Sequence, residues 1–167
     1  MLFKVDDQVV YPAFGVGRIV ALVMKRFVED ENHQYYEVSG PRSTAWVAVA
    51  DSSASGLRRL TRQAELADFR AVLRGRPTTL NTDHRQRLLD VRAQLKRGTL
   101  QAICETVRDL SARGWHKALS ESDSHGLRQG RDALCAEWAA ADGVTLFEAT
   151  AEIDALLKEG RVSYATS

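Results

Sequence analysis

Along the first sixty residues, apolar and β-branched side chains come in short runs divided by tight-turn residues. Gln8-Val9-Val10-Tyr11 reads as a strand, and Pro12-Ala13-Phe14-Gly15 turns it. Gly15-Val16-Gly17 reopens into Arg18-Ile19-Val20-Ala21-Leu22-Val23, with a predicted hairpin tip at Glu29-Asp30-Glu31-Asn32. His33 to Val38 is a third run, Ser39-Gly40-Pro41 turns again, and Ala45 to Val49 is a fourth. Short strands with tight turns over this length predict a small, strongly bent barrel. Such a unit buries little apolar surface.

After Gly56-Leu57-Arg58-Arg59 the period changes. Leu60, Ala64, Leu66, Ala67, Val72 and Leu73 fit helical spacing, closed by Gly75-Arg76-Pro77. Thr82 is the expected cap of a second helix, Asp83 to Lys96, with Gly98 as its stop. A third helix, Thr99 to Arg113, carries Leu100, Ile103, Val107 and Leu110 on one stripe. A fourth opens near Ser120-Glu121-Ser122-Asp123 and runs through Leu127, Leu134 and Trp138 to about Ala141. Thr145 followed by Glu148 is a capping-box pattern that opens a fifth, carrying Phe147, Ile153, Leu156 and Leu157. The reading is an α+β two-domain chain: a β-rich unit over 1–60 and an all-α unit of about five helices over 61–167.

Composition narrows the class. The chain has 167 residues, 44% hydrophobic and 27% charged, which is ordinary for a globular protein. No apolar run approaches the roughly 20 residues that span a bilayer, and the acids after Lys4 argue against a signal peptide. Cys104 and Cys135 lack pairing or metal-type spacing, which suits a reducing cytosol. A cytoplasmic protein is therefore expected, and since no feature predicts a homo-oligomer, a monomer.

The net charge of +1 conceals a strong asymmetry. From Arg70 to Lys117 eleven basic residues stand against four acids, a net +7; from Ala118 to Gly160 nine acids stand against three bases, a net −6. Solvated helix faces would account for this, and so would a basic face used on phosphate backbones.

Catalytic chemistry is not legible. His33, His84, His116 and His125 have no ligand-type neighbours at useful spacing, so neither metal nor cofactor is expected. Cys104 sits on or beside the third helix's apolar stripe, where a small core residue is expected. Gly15-Val16-Gly17 lacks the third glycine and following helix of a dinucleotide loop. The chain reads as a non-enzyme.

Several segments resemble one family. Phe3 to Gly17 is similar to the opening of the bacterial CarD/CdnL proteins, whose pattern is F-x-x-G-D-x-V-V-Y-P-x-x-G-x-G. Gly56-Leu57-Arg58 resembles the G-[LV]-R closing their first module, and Val107-Arg108-Asp109-Leu110 resembles the V-R-D-L of their central helix. The N-terminal motif is shared with the polymerase-binding module of the transcription-repair coupling factor; the helical half points to CarD-type proteins.

The resemblance implies a Tudor-like, SH3-like barrel that binds the β subunit of bacterial RNA polymerase through an exposed strand edge. Main-chain pairing supplies affinity in that mode, and alternate side chains supply specificity. Carried onto this sequence, the polymerase-facing candidates are Lys25, Arg26 and Phe27 on the second strand and Trp46 on the fourth. Trp46 has two readings, interface anchor or filler of the barrel wall.

The resemblance also implies that the helical domain contacts promoter DNA at the upstream fork, without sequence specificity. Basic side chains hold the DNA and a Trp wedges into the minor groove. The implied DNA-facing residues are His84, Arg85, Arg87, Lys96 and Arg97. Counting back from Arg97-Gly98, the wedge position holds His84, and a further basic position before Leu127 appears as His125-Gly126. Either His84 with its arginines still contacts the fork, or DNA contact reduces to phosphate neutralisation and the protein acts as a polymerase-bound accessory or competing paralogue.

Overall fold

The computed structural model describes residues 2–28 and 31–165. The chain forms two compact units, Met1–Leu60 and Thr61–Ser167. In the first, β1 (Gln8–Tyr11), β2 (Gly15–Val28), β3 (Glu31–Ser39), β4 (Thr44–Ala48) and β5 (Arg58–Arg59) form an antiparallel sheet in the order β4-β3-β2-β1-β5. This is the expected Tudor-like unit, with two differences. The second strand is longer than its apolar run, and Arg58–Arg59 add a short fifth strand that pairs with Val9 and Val10. Of the predicted hairpin tip, Glu29 and Asp30 lie outside the described residues.

One irregularity in β2 decides which side chains face inward. Ile19 pairs with Val38 but Ala21 pairs with Glu37, so Val20 is an extra residue in the ladder. A bulge shifts the two-residue alternation by one and exchanges the faces beyond it. Ile19 and Leu22 therefore point into the core with Tyr36, Val38 and Val47. Val23 and Lys25, opposite Tyr35 and His33, lie on the outer face. The buried Tyr36 hydroxyl accepts a hydrogen bond from the Phe3 amide at 3.2 Å, and the two rings meet edge to face at 5.4 Å.

Among the described residues, Asp6 is the non-glycine residue with positive φ, at 78°. It stands where the pattern F-x-x-G-D places glycine, and aspartate is among the few residues that tolerate the left-handed region. The conformation turns the chain so that the Asp6 amide donates to the Ile19 carbonyl at 2.7 Å.

The second unit is all-helical: α1 (Leu66–Leu73) after a 3-10 turn, α2 (His84–Arg97), α3 (Leu100–Arg113), α4 (Glu121–Asp142) and α5 (Leu146–Tyr164). The chain is thus the expected α+β two-domain fold. Thr99, Ser120 and Thr145 cap α3, α4 and α5, each accepting from the amide three residues on. Helix α2 departs from expectation: Asp83, not Thr82, is its cap, with the carboxylate 2.8 Å from the Gln86 amide. The Thr82 carbonyl instead accepts from Arg87.

The core of this unit gathers Leu73, Leu100, Val107, Leu134, Trp138 and Ile153 among others. Cys104 joins it fully buried, as its place on the α3 stripe predicts, and burial pushes its thiol up to about 12. Gly126 and Gly130, one turn apart on α4, let neighbouring helices approach. A Cβ on either would lie 3.0 Å from a valine side chain, Val91 of α2 or Val107 of α3. Phe147 does not join the core; it is 83% exposed at the start of α5.

Candidate functional site

The outer face of the sheet carries an aromatic and cationic cluster. Lys25 and Phe27 come from the end of β2, Tyr35 from β3 and Trp46 from β4. The Lys25 ammonium lies 3.7 Å from the centre of the Trp46 ring and 5.5 Å from that of Phe27. Phe27 meets Tyr35 edge to face at 5.0 Å and lies 6.4 Å from Trp46. These side chains are brought together because the bulge turns Lys25 outward, to the face that Trp46 shares opposite Glu37.

Trp46 is 39% exposed and Phe27 59%, while Val47 beside Trp46 fills the core. Of the two readings of Trp46, the geometry supports the outward one. Because β4 is an edge of the sheet, one side of its backbone carries no strand partner among the described residues. Arg26, also exposed, lies between Lys25 and Phe27.

In the helical unit the expected DNA-facing residues separate into two groups. His84 and Arg85 are exposed in the first turn of α2, and Lys96 and Arg97 are exposed in its last turn. Arg85 and Lys96 share one solvent-facing stripe with Arg92, at helical spacings of i, i+7 and i+11. Leu89 stands between them on that stripe, 53% exposed. Arg97 lies off the stripe, about 100° around the helix.

Arg87 is a correction to the expected contact set. It is 3% exposed, and its guanidinium is committed inside the fold. Its Nε donates to both carboxylate oxygens of Asp123 at 3.0 and 3.1 Å, and one terminal nitrogen donates to the carbonyls of Asn81 and Thr82. Asp123 also pairs with Arg113 Nε at 3.3 Å. A guanidinium so held cannot reach a phosphate without breaking a buried pair, which costs about 3–5 kcal/mol.

This network still bears on the exposed residues beside it. Burial would raise the Asp123 carboxyl, but hydrogen bonds from Arg87 and Ser120 and the charges of Arg87 and Arg113 outweigh it and hold it below its ordinary value. The other Arg87 terminal nitrogen lies 3.3 Å from His84 Nδ1. A guanidinium can only donate, so Nδ1 is the acceptor and the neutral ring carries its proton on Nε2. Arg87 thereby fixes the orientation of His84 rather than joining it at a surface. His125 is exposed at the start of α4, beside the buried Gly126.

The basic excess between Arg70 and Lys117 is smaller on the surface than in the sequence. Arg70, Arg87, Arg108 and Arg113 are paired with Glu152, Asp123, Asp109 and Asp123 respectively. Arg85, Arg92, Lys96 and Arg97 remain exposed on α2. Arg92 and Leu89 were not among the expected contacts; their spacing from Arg85 is the signal that would have found them. No group of three or more metal-ligating side chains occurs among the described residues, and no described helix is long and apolar enough to cross a membrane.

Comparison with known proteins agrees with both units. Residues 3–60 match the CarD-like/TRCF RID domain, and residues 68–154 match the CarD C-terminal domain. The chain is also similar to YdeB of Bacillus subtilis strain 168, which is named as a candidate transcription factor. The two are 29% identical over 146 residues, 86% of this chain and 95% of the relative. With both halves matched in order over a fold of the corresponding architecture, the chain belongs to the CarD/CdnL family.

Proposed function

We propose that this protein is a non-catalytic, cytoplasmic transcription regulator that docks on the β subunit of bacterial RNA polymerase and modulates promoter open-complex stability. The observation that carries this reading is the cluster of Lys25, Phe27, Tyr35 and Trp46 beside the edge strand β4. Exposed aromatic rings braced by a cation suit a protein-binding hot spot, and the unpaired strand edge suits β-augmentation. Family membership supports the same partner. Arg26 adds charge at the rim of this surface.

Promoter DNA near the upstream fork is the second partner, reached through His84, Arg85, Lys96 and Arg97 together with Arg92. Contacts of this type read backbone charge and groove shape rather than base sequence. Histidine presents less stacking area than tryptophan, so the hold on the fork is weaker than a tryptophan wedge gives. Arg87 positions His84 from beneath. The protein acts in this reading as a monomer.

A second reading, a polymerase-bound accessory with little DNA engagement, is favoured by one observation: the burial of Arg87 removes a cation from the expected contact set. Retention of purified polymerase by the full chain and by residues 61–167 tests the docking half. The full chain retains polymerase and the helical part, checked for helical circular dichroism, does not. Equal retention by the helical part alone overturns the proposal.

A further inference from the structure

At one end of the helical unit, the segment between α1 and α2, the end of α3 with the residues after it, and the end of α5 line a cavity of about 450 Å³ that is open to solvent. That volume lies in the range of small-molecule sites, about 300–1,000 Å³. Its wall includes Arg76, Arg113, Trp115, His116, Lys117 and Tyr164. The Arg76 guanidinium lies over the Tyr164 ring at 5.6 Å, and Trp115 and His116 meet edge to face at 6.4 Å.

The charge of this cavity is one-sided. Arg76, Arg113 and Lys117 contribute three positive charges, and Asp109 is the single acid among the described wall residues. Its carboxylate is already engaged, accepting from Arg108 Nε at 2.9 Å and from the Thr78 amide at 2.9 Å. Arg113 is turned partly to Asp123. Arg76 and Lys117, both exposed, remain for an anion.

Cations beside two aromatic side chains select a ligand that is both anionic and flat. An inorganic anion would leave Trp115 unused, and an uncharged aromatic would leave Arg76 and Lys117 without a partner. We propose that this cavity binds a nucleotide, its base stacked on Trp115 and its phosphate held by Arg76 and Lys117. Stacking of bases on aromatic side chains with arginine and lysine at the backbone is the general mode for unpaired nucleic acid. The nucleotide can be free in solution or one unit of a single strand. Asp123 ties this cavity to the start of α2, since it holds Arg113 of the cavity wall and Arg87 beneath His84. Binding there does not depend on polymerase docking.

Calorimetric titration of the full chain tests it, using adenosine monophosphate, adenosine, inorganic phosphate and a short oligodeoxyadenylate. Two variants are compared, Trp115→Leu and the double substitution Arg76→Gln with Lys117→Gln. The double variant changes only exposed side chains and so keeps the test valid if Trp115→Leu is poorly folded. Saturable binding of adenosine monophosphate, weaker by about tenfold or more in the variants, supports a free nucleotide as ligand. Binding of the oligonucleotide alone, with the same loss, supports a unit of single-stranded DNA. Adenosine or phosphate binding as tightly as the nucleotide overturns the proposal. So does binding unaltered in the double variant, or no binding of either nucleotide form at millimolar concentration.

Discussion

The Lys25 ammonium stands 3.7 Å above the Trp46 ring, bridging strands β2 and β4 across β3. A cation in that place is attracted by the ring face, worth about 0.5–1 kcal/mol at an exposed site. It also holds the indole in one orientation before any partner arrives, which lowers the ordering cost of association. In the proposed docking mode the two residues have separable roles, Trp46 as anchor and Lys25 as brace.

Trp46→Ala is expected to weaken polymerase binding by about 2 kcal/mol or more, roughly 30-fold. Lys25→Met removes only the brace and should cost about 1 kcal/mol or less, roughly fivefold. In the doubly substituted chain the two losses should fall short of additive, because the brace has nothing to hold once the ring is gone. Surface-immobilised polymerase with each variant gives these values directly. Additive losses would mean that Lys25 contacts the partner independently.

The buried Arg87–Asp123 pair makes a prediction about stability. Asp123→Ala leaves the Arg87 guanidinium buried without its partner and should destabilise the chain by about 3–5 kcal/mol, measured by urea unfolding. The sign of the pH effect follows from the direction of the shift. A carboxyl held below its ordinary value stabilises the fold above the unfolded pKa, near about 3.9, and loses that contribution as pH falls through its lower folded value. Asp109 acts in the opposite sense, since burial raises it despite its bonds to Arg108 and Thr78. The informative quantity is therefore the difference between parent and Asp123→Ala, which should narrow below about pH 4.

Surface and interior arginines on α2 should behave differently toward DNA. Substituting Arg85, Arg92 and Lys96 together by Gln should lower the slope of log affinity against log salt by about 2.7, which is about 0.9 for each phosphate no longer neutralised. The fold should be unaffected, because all three side chains are exposed. Arg87→Gln should instead reduce stability and leave the salt slope nearly unchanged. Filter retention of a forked duplex over a range of salt distinguishes these outcomes, and a slope of zero in the parent chain favours the accessory without DNA engagement.

Much of this architecture is legible locally. Ser120 and Thr145 announce helix starts because the cap and its amide partner lie three residues apart, and the α3 stripe is visible because its period is intrinsic to one helix. The failures involve partners distant in sequence. Nothing near Arg87 indicates that Asp123, 36 residues away, will draw it inside. The bulge at Val20 is equally hidden, since it is defined by pairing with β3, yet it places Lys25 on the same face as Trp46. The cavity beside Trp115 is assembled from three separate segments, so its composition appears only once they are folded together. Thr82 and Asp83 are both good caps; the hydrogen bond from Arg87 to the Thr82 carbonyl accompanies the choice of Asp83.

The central claim is that the first unit meets polymerase at its outer face and its free strand edge. Hydrogen–deuterium exchange of the full chain, alone and with purified polymerase, tests this most directly. Slowed exchange is predicted at the backbone amides of β4, Thr44–Ala48, and at the Lys25–Phe27 end of β2. Unchanged exchange there, with protection confined to the helices after residue 61, would contradict it.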